Sequence, residues 1–383
     1  MRARRGKKRL FLGLVILLGL YVLWLGSTLV RYRTGRGVSP EKTGSGFEIQ
    51  GVYHVHTAFS DGRQPLEKVV AAASAENLDF IILADHGNPN RASLESQGWI
   101  GGLLVLAGSE LSVSRGHLVA LDFRPPDEAF SQNAEEAAQQ VAAAGGFTVI
   151  AHPFSKTRWS WGEFAGYSGI EIADSDSMFR RNFLRAVPYL PTLPLSPQVF
   201  LLRTLVRPWQ TLRKWDEMAA SQPVYGYFSV DAHLAYRILF SCFRLHVLLE
   251  EPLAADFDKA RAQVFNSLRR GAFYCAVDAA RPAFGFNFWL ESPSEVLPMG
   301  STVSFAPSVR MHLRSKAAFP FPVRAHLFRN GEVVGRSDGP EISFRPDGPG
   351  VYRIEIYLRG GSLLSRDFPW LISNPIFIRE ARW

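Results

Sequence analysis

Residues 47–56 read FEIQGVYHVH, an apolar run that closes on two histidines. Six runs of similar make follow: FIILADH (80–86), LLVLAGSE (103–110), HLVALDF (117–123), FTVIAHP (147–153), GIEIAD (169–174) and VYGYFSVDAH (224–233). Between them, Pro65–Asn77 (PLEKVVAAASAEN) and Asp127–Gly145 (DEAFSQNAEEAAQQVAAAG) place apolar residues at three-to-four spacing in Ala- and Glu-rich surroundings, the pattern of helices. Short apolar strands alternating with helices predict an α/β fold with a mostly parallel sheet, open or closed into a β/α barrel, over residues 47–290.

Ser177–Met218 breaks this rhythm with five prolines (Pro188, Pro191, Pro194, Pro197, Pro208) among Phe, Leu, Trp and Arg residues, and reads as an insertion. Three readings fit it: a lid, helices packed over the barrel flank, or an amphipathic element on a membrane. In the last, Arg180, Arg181, Arg185, Arg203, Arg207 and Arg213 would face anionic headgroups. Phe257–Arg270 is a further helix and residues 271–277 (GAFYCAV) return as a strand. From about Pro293 the text changes to alternating runs joined by N-G, D-G and P-G turns, which predicts a small antiparallel β-sandwich over residues 291–383.

Upstream of the runs, Leu10–Val30 holds 21 residues without a charge. At 1.5 Å per residue such a helix spans a hydrocarbon core of about 30 Å. A cleaved signal peptide is the rival reading, but the apolar part exceeds the usual length and no A-x-A-like site follows, which favours an uncleaved anchor. Six basic residues precede the span and three follow it, so the positive-inside bias puts the N-terminus in the cytoplasm and the body outside. Residues 31–46 read as a linker. The chain's net charge of +8 arises entirely here: nine of its 43 basic residues and none of its acidic ones fall within residues 1–36, leaving 34 basic against 35 acidic. The body therefore has no bulk attraction to nucleic acid, and none is expected as a partner. Two cysteines, Cys242 and Cys275, have the option of pairing; neither belongs to a C-x-x-C pair, which argues against a thiolate metal site.

Six of the nine histidines stand at an end of an apolar run: His54, His56, His86, His117, His152 and His233. Asp61, Glu110 and Asp231 accompany them. Side chains at i and i+2 of a strand face the same way, so His54 with His56, and Asp231 with His233, can each grip one ion. In a β/α barrel or open parallel sheet the strand ends converge on one mouth, where all nine groups can meet. His246, His312 and His326 fit no such pattern. Imidazole and carboxylate without thiolate suit Zn²⁺, Mn²⁺ or Fe²⁺. Nine ligands exceed one tetrahedral ion, which implies two or three divalent metals able to activate water and to clamp attacking and leaving oxygens. No G-x-S-x-G elbow is present to support a serine triad.

The strings YHVHTAFSDG, LADH, GSE followed by GHL, IAHPF and VDAH resemble, in order and spacing, the PHP (polymerase and histidinol phosphatase) superfamily over roughly residues 48–280. The resemblance implies a distorted seven-stranded β/α barrel, a di- or trinuclear metal site and phosphoester hydrolysis. It implies that His54, His56, Glu110 and Asp231 hold one metal, that Asp61, His86 and His233 hold a second, and that His117 and His152 share a third with Glu110 as the bridge. Asp61, His86, Glu110 and His233 are the expected catalytic residues. Asp61 stands where many members have His, the mark of a branch for which two metals are enough, and Ala84 replaces a frequent Thr. The GHL string and the C-terminal sandwich also resemble the branch that includes carbaryl hydrolase, which cleaves a carbamate ester.

Arg115, Lys156 and Arg158 lie near His117 and His152 in sequence and are candidates for holding an anionic substrate group. Glu171 and Asp174 end the sixth run as ligand supports, substrate contacts or plain strand-end polarity. The expected function is a membrane-anchored phosphoesterase acting on a small-molecule phosphate ester. A carboxyl or carbamate ester hydrolase on the same site is one alternative. The other is a non-catalytic, metal-stabilised surface protein whose sandwich binds a partner.

Overall fold

The computed structural model describes residues 2–36, 47–155, 158–163, 166–305, 310–360 and 363–380. Helix α1 (Arg2–Arg36) is followed by β1 (Phe47–Val55), α2 (Leu66–Ala75), β2 (Phe80–Leu83), α3 (Arg91–Glu95), β3 (Gly98–Ile100), β4 (Leu103–Ala107), β5 (Ser109–Val113) and β6 (Gly116–Leu121). Then come α4 (Ala134–Ala143), β7 (Phe147–Ile150), β8 (Gly169–Asp174), α5 (Ser175–Ala186), a 3₁₀ helix (Val187–Thr192), α6 (Pro197–Leu202), α7 (Trp209–Ser221) and β9 (Tyr225–Ser229). After α8 (Tyr236–Phe240), β10 (Phe243–Leu249), α9 (Phe257–Arg269) and β11 (Phe273–Val277), the elements among the described residues are all strands. These are β12 (Asn287–Glu291), β13 (Val296–Pro298), β14 (Thr302–Phe305), β15 (His312–Lys316), β16 (Val323–Arg329), β17 (Glu332–Ser337), β18 (Ile342–Phe344), β19 (Gly350–Leu358), β20 (Leu371–Ser373) and β21 (Ile376–Glu380).

Each of the seven apolar runs forms a strand. β2, β4 and β7 are buried along their whole length, as strands covered on both faces must be. The helix expected over Asp127–Gly145 starts only at Ala134, because Asn133 caps it by accepting from the Glu135 and Glu136 N–H groups. The sheet is less parallel than expected. β1–β2, β2–β4, β7–β8 and β8–β9 are parallel, but β6 runs antiparallel to both β5 and β7. That reversal explains why His117 opens its run while the other histidines close theirs.

The seven strands do not form one continuous ladder. β1, β2 and β4 belong to a twelve-stranded sheet, and β5–β6–β7–β8–β9 form a second sheet of five. Gly108 carries the chain from one sheet to the other, at a point where a Cβ would stand 2.2 Å from the Ala120 carbonyl oxygen. One parallel bridge joins His86 to Glu110 beside it. On the far side, β1 and the end of β9 meet through Val230 N–H to Tyr53 C=O (3.1 Å), Ala232 N–H to His54 C=O (3.2 Å) and His56 N–H to Ala232 C=O (3.1 Å). Positive φ at His54 (70°) and Asp231 (43°) prevents regular pairing there, so a closed ladder is absent.

The C-terminal strands were expected as a separate sandwich, and here the structure differs. β12, β13, β15 and β18 form a four-stranded sheet, but β20 pairs with β11, so that β19, β21, β14, β16 and β17 extend the sheet containing β1 and β10. β11 is entirely apolar and buried, and an unpaired edge on such a strand would leave its N–H and C=O groups without partners. Cys242 and Cys275 are both buried.

His246 lies at the β1–β10–β11 junction, fully buried, with Nδ1 at 2.7 Å from Glu48 and Nε2 at 3.1 Å from Asp278. Burial alone would lower its pKa; the Asp278 and Glu48 carboxylates outweigh that and raise it to about 9. The stabilisation from this charged form is complete below the unfolded value of about 6.5 and is lost as pH rises through about 9. His246→Phe is expected to cost about 3 kcal/mol at pH 7, by removing the cation between Glu48 and Asp278 and leaving them only Tyr274, Gly285 and Arg244 as partners, and the difference should narrow above pH 9. Denaturant unfolding at pH 7 and pH 10 measures both; equal differences at the two pH values would contradict the assignment.

Within Leu10–Thr34, α1 holds an 18-residue window of mean hydropathy 2.3 and is long and apolar enough to cross a membrane. It continues helical through Arg36, where a linker was expected from residue 31; residues 37–46 of that linker lie outside the described residues.

Candidate metal centre

The site forms where β1, β2, β5, β6, β7 and β9 end or begin. β1 carries a bulge between Tyr53 and Val55, which rotates His54 into left-handed backbone. Both His54 and His56 are therefore aimed inward and fully buried, by a bulge rather than by simple alternation. His152 and Asp231 also have positive φ, 27° and 43°. Backbone strain held at three residues of one cluster is characteristic of a functional site.

Glu110 is the hub. Its Oε2 lies 3.2 Å from His54 Nε2, 3.3 Å from His56 Nε2 and 3.2 Å from His86 Nδ1. Its Oε1 lies 2.8 Å from His117 Nδ1 and 2.9 Å from His152 Nε2. Asp231 Oδ1 approaches His56 Nε2 to 3.2 Å and His54 Nε2 to 3.5 Å. On the open side, Asp61 faces His233 (3.2 Å), His56 (3.4 Å) and His86 (3.7 Å). All nine expected ligands thus meet in one place. Three groups bring candidate ligand atoms close enough for an ion: His54 with His56 and Glu110; Asp61 with His56, His86 and His233; and His117 with His86 and Glu110. The grouping departs from the expected division: His56 and His86 each belong to two groups, His117 is grouped with His86 rather than His152, and Asp231 and His152 fall in none of the three.

Side chains around the cluster fix its members. Glu171 Oε1 accepts from His54 Nδ1 (2.5 Å) and its Oε2 accepts from the His152 backbone N–H (2.7 Å), which makes it a ligand support. Asp174 caps α5 through the Ser177 N–H. Asp85, beside His86 in sequence, is no ligand. Its two oxygens accept from Thr57 N–H, Thr57 Oγ1, Ser60 Oγ and Ser93 Oγ, and so pin the loop that presents Asp61.

The donor set fits divalent cations on direct observation. His54 Nε2, both ring nitrogens of His56, His86 Nδ1 and Asp231 Oδ1 are buried polar atoms without a hydrogen-bond partner, and all five point into the cluster. Buried groups left so would be costly unless an ion accepts their lone pairs. Electrostatics agree. Burial disfavours the Glu110 carboxylate, but His54, His117 and His152 hold it well below the ordinary carboxylate range. Burial likewise opposes charge on His56 and His152, yet Asp231 and Glu110 raise the first, and Glu110 and Glu171 the second, to about 9. Such protons occupy the positions that a cation takes on binding.

A cleft of about 400 Å³ opens onto the cluster and is closed on its other side by Asp176, Ser177, Arg180 and Arg181 of α5. The expected substrate cations are elsewhere. Arg115 donates to Glu135 Oε1 and to the Ser160 carbonyl, both at 2.9 Å. Arg158 is exposed and does not line the cleft, and Lys156 lies outside the described residues. Arg180, ion-paired with Asp176, and Arg181, which donates to the Phe154 carbonyl, line the cleft instead. Their position was hidden in sequence because they belong to the insertion, 28 and 29 residues beyond His152.

Fold and site together define a mixed α/β protein carrying a His/Glu/Asp cluster of the kind that suits a multinuclear metal site. No family model matches the chain, and no curated protein does. Among solved structures, it is similar to a two-domain protein from Bacteroides vulgatus that contains a predicted PHP-like metal-dependent phosphoesterase, at 13% identity and TM-score 0.43, covering 88% of this chain and 99% of that one. It is also similar to a candidate metal-dependent phosphoesterase from Bifidobacterium adolescentis (16% identity, TM-score 0.33, 48% of this chain and 87% of that one). A third is an amidohydrolase from Chromobacterium violaceum with bound sulfate and no metal (17%, 0.32, 48% and 87%).

Proposed function

We propose that this chain is a membrane-anchored, metal-dependent phosphoesterase of the PHP type, with α1 as a single-pass anchor, the N-terminus cytoplasmic and the cleft on the opposite side. The observation that carries the reading is the set of buried, unpartnered imidazole and carboxylate atoms converging on Glu110. His54, His56, Glu110 and Asp231 would hold one ion and Asp61, His86 and His233 a second, with His117 and His152 available to a third through Glu110. When bound, Zn²⁺, Mn²⁺ or Fe²⁺ supplies Lewis acidity and water of lowered pKa. The chain's own residues do the rest. Glu171 fixes the ring of His54, and Asp85 holds the Asp61 loop in register. Arg180, paired with Asp176, and Arg181, bonded to the Phe154 carbonyl, line the cleft, and Arg181 would offer its remaining charge to an anionic substrate group, which favours a phosphoester over a neutral carboxyl or carbamate ester.

The test uses the full chain in detergent, stripped with chelator and reloaded with each metal, against aryl phosphate mono- and diesters, aryl acetates and aryl carbamates. Metal-dependent cleavage of a phosphoester is expected. In Arg181→Gln, KM should rise about tenfold, the size of one charge-assisted contact, with kcat little changed. Cleavage confined to acetates or carbamates would place the chain with the ester hydrolases instead. A folded protein that binds no metal would leave only the scaffold reading.

A further inference from the structure

The insertion departs from an ordinary protein surface in one stretch. Outside α1, thirteen large apolar side chains are exposed among the described residues, and six fall within residues 183–195: Phe183, Leu184, Val187, Leu190, Leu193 and Leu195. Leu184 is 82% exposed and Leu195 60%. Isolated exposed leucines are ordinary, but a run of six on one connection is a patch that water disfavours.

This stretch lies against α1. The Tyr21 hydroxyl donates to the Pro188 carbonyl (2.6 Å), the rings of Trp24 and Tyr189 stand 4.8 Å apart, and Arg33 donates to the Leu195 carbonyl (3.4 Å). Leu25, Thr28 and Tyr32, on one face of α1, are buried. Tyr21 is nine residues before Val30, hence about 14 Å along the helix from the end of the uncharged run. A partner held at Tyr21 therefore sits inside the hydrocarbon layer that the helix crosses, not above it.

The backbone suits that depth, where every polar group needs an internal partner. Pro188, Pro191 and Pro194 have no N–H. Leu193 donates to the Leu190 carbonyl, Leu195 and Ser196 donate to the Thr192 carbonyl, and the Thr192 hydroxyl donates to the Tyr189 carbonyl. At the level of Thr28 and Arg31, a cavity of about 320 Å³ is lined by Arg31, Arg203 and Arg366, cations placed where lipid phosphates lie.

We propose that residues 183–195 form a second membrane-inserted element, sunk into one leaflet beside α1, with bilayer lipid as the occupant of its apolar face. The inference rests on α1 spanning the bilayer. It has a consequence for the metal site, because α5 carries both surfaces: Ser177, Arg180 and Arg181 on the cleft and Leu184 in the patch. Ser177 and Leu184 are about 10 Å apart along the helix. The cleft is thereby held at the headgroup layer.

Full-length protein in phosphatidylcholine–phosphatidylglycerol nanodiscs tests this, with a fluorophore on single added cysteines; the native Cys242 and Cys275 are buried. The positions are Leu184→Cys and Leu193→Cys in the patch, Leu17→Cys in α1, and Val296→Cys on the exposed body. Probes at 184, 193 and 17 should be quenched by acyl-chain nitroxide lipid and be at least threefold less accessible to iodide than the probe at 296. If the probe at 17 behaves so while those at 184 and 193 match 296, the second element is overturned and the anchor stands. If the probe at 17 also matches 296, the anchor reading falls and this inference with it.

Discussion

Glu110→Gln is expected to lower bound metal from two or more ions per chain to less than one, and to reduce kcat/KM at least about 10³-fold, some 4 kcal/mol of transition-state stabilisation. The amide is nearly isosteric, so the effect isolates the charge. In the native cluster one carboxylate faces five imidazoles, three through Oε2 and two through Oε1. Among the described residues, Glu110 alone would serve both the first ion and the third, and its Oε2 also lies 3.2 Å from His86, a ligand of the second. An amide can give each ion at best a weak neutral oxygen, and its NH₂ would point at imidazoles whose lone pairs must remain free for metal. Elemental analysis of purified protein, beside kinetics on the substrate found above, measures both effects. Wild-type metal stoichiometry in Glu110→Gln would remove Glu110 from the centre of the site. His326→Gln, on β16 and away from the cluster, should leave both quantities unchanged.

Eight of the nine residues of this cluster were legible in sequence because each sits at an end of an apolar run, where a sheet can gather polar groups; Asp61, five residues beyond His56, was legible through the YHVHTAFSDG string. What made them converge was not legible. His54 points inward through a bulge and His117 through a reversed strand, and both depend on long-range pairing that no local pattern encodes. The cations that line the cleft were not legible for a similar reason. Arg115 and Arg158 are near the ligands in sequence, whereas Arg180 and Arg181 reach the cleft only because α5 starts directly at the end of β8. Alternation and turn signals gave the C-terminal strands correctly, but the pairing of β20 with β11 is decided by an edge that needs covering. The helix of α1 was readable from its missing charges, and its contact with residues 188–195 was not.

Glu355→Gln is the second large expectation, a loss of about 3–5 kcal/mol of stability with the metal site unaltered. Glu355 is completely buried on β19 between two guanidinium groups. Arg207, from the insertion, donates to its two oxygens at 2.6 and 2.9 Å, and Arg353 donates to it while also gripping Asp216 of α7 at 2.9 Å through two bonds. Arg353 and Arg207 hold the carboxylate below its ordinary pKa against the opposing effect of burial. The folded-state value is depressed, so the contribution is present above the unfolded value of about 4.3 and is lost as pH falls through the folded one. A glutamine there leaves Arg353 with Asp216 alone and Arg207 with only the Tyr357 hydroxyl and the Asp367 carbonyl, and the cost is that of the uncompensated charge rather than of the hydrogen bonds. This separates two explanations of the network. If its value lies in charge balance, the triple variant Arg207→Met, Glu355→Leu, Arg353→Met should recover most of the loss, since a well-packed apolar substitute needs no partner. If the network instead fixes the insertion against the C-terminal sheet, the triple variant will regain unfolding stability yet release α7, and protease cleavage within residues 203–221 will rise. Denaturant titration and limited proteolysis of the single and triple variants distinguish the two, and a single variant within 1 kcal/mol of wild type would show that neither holds.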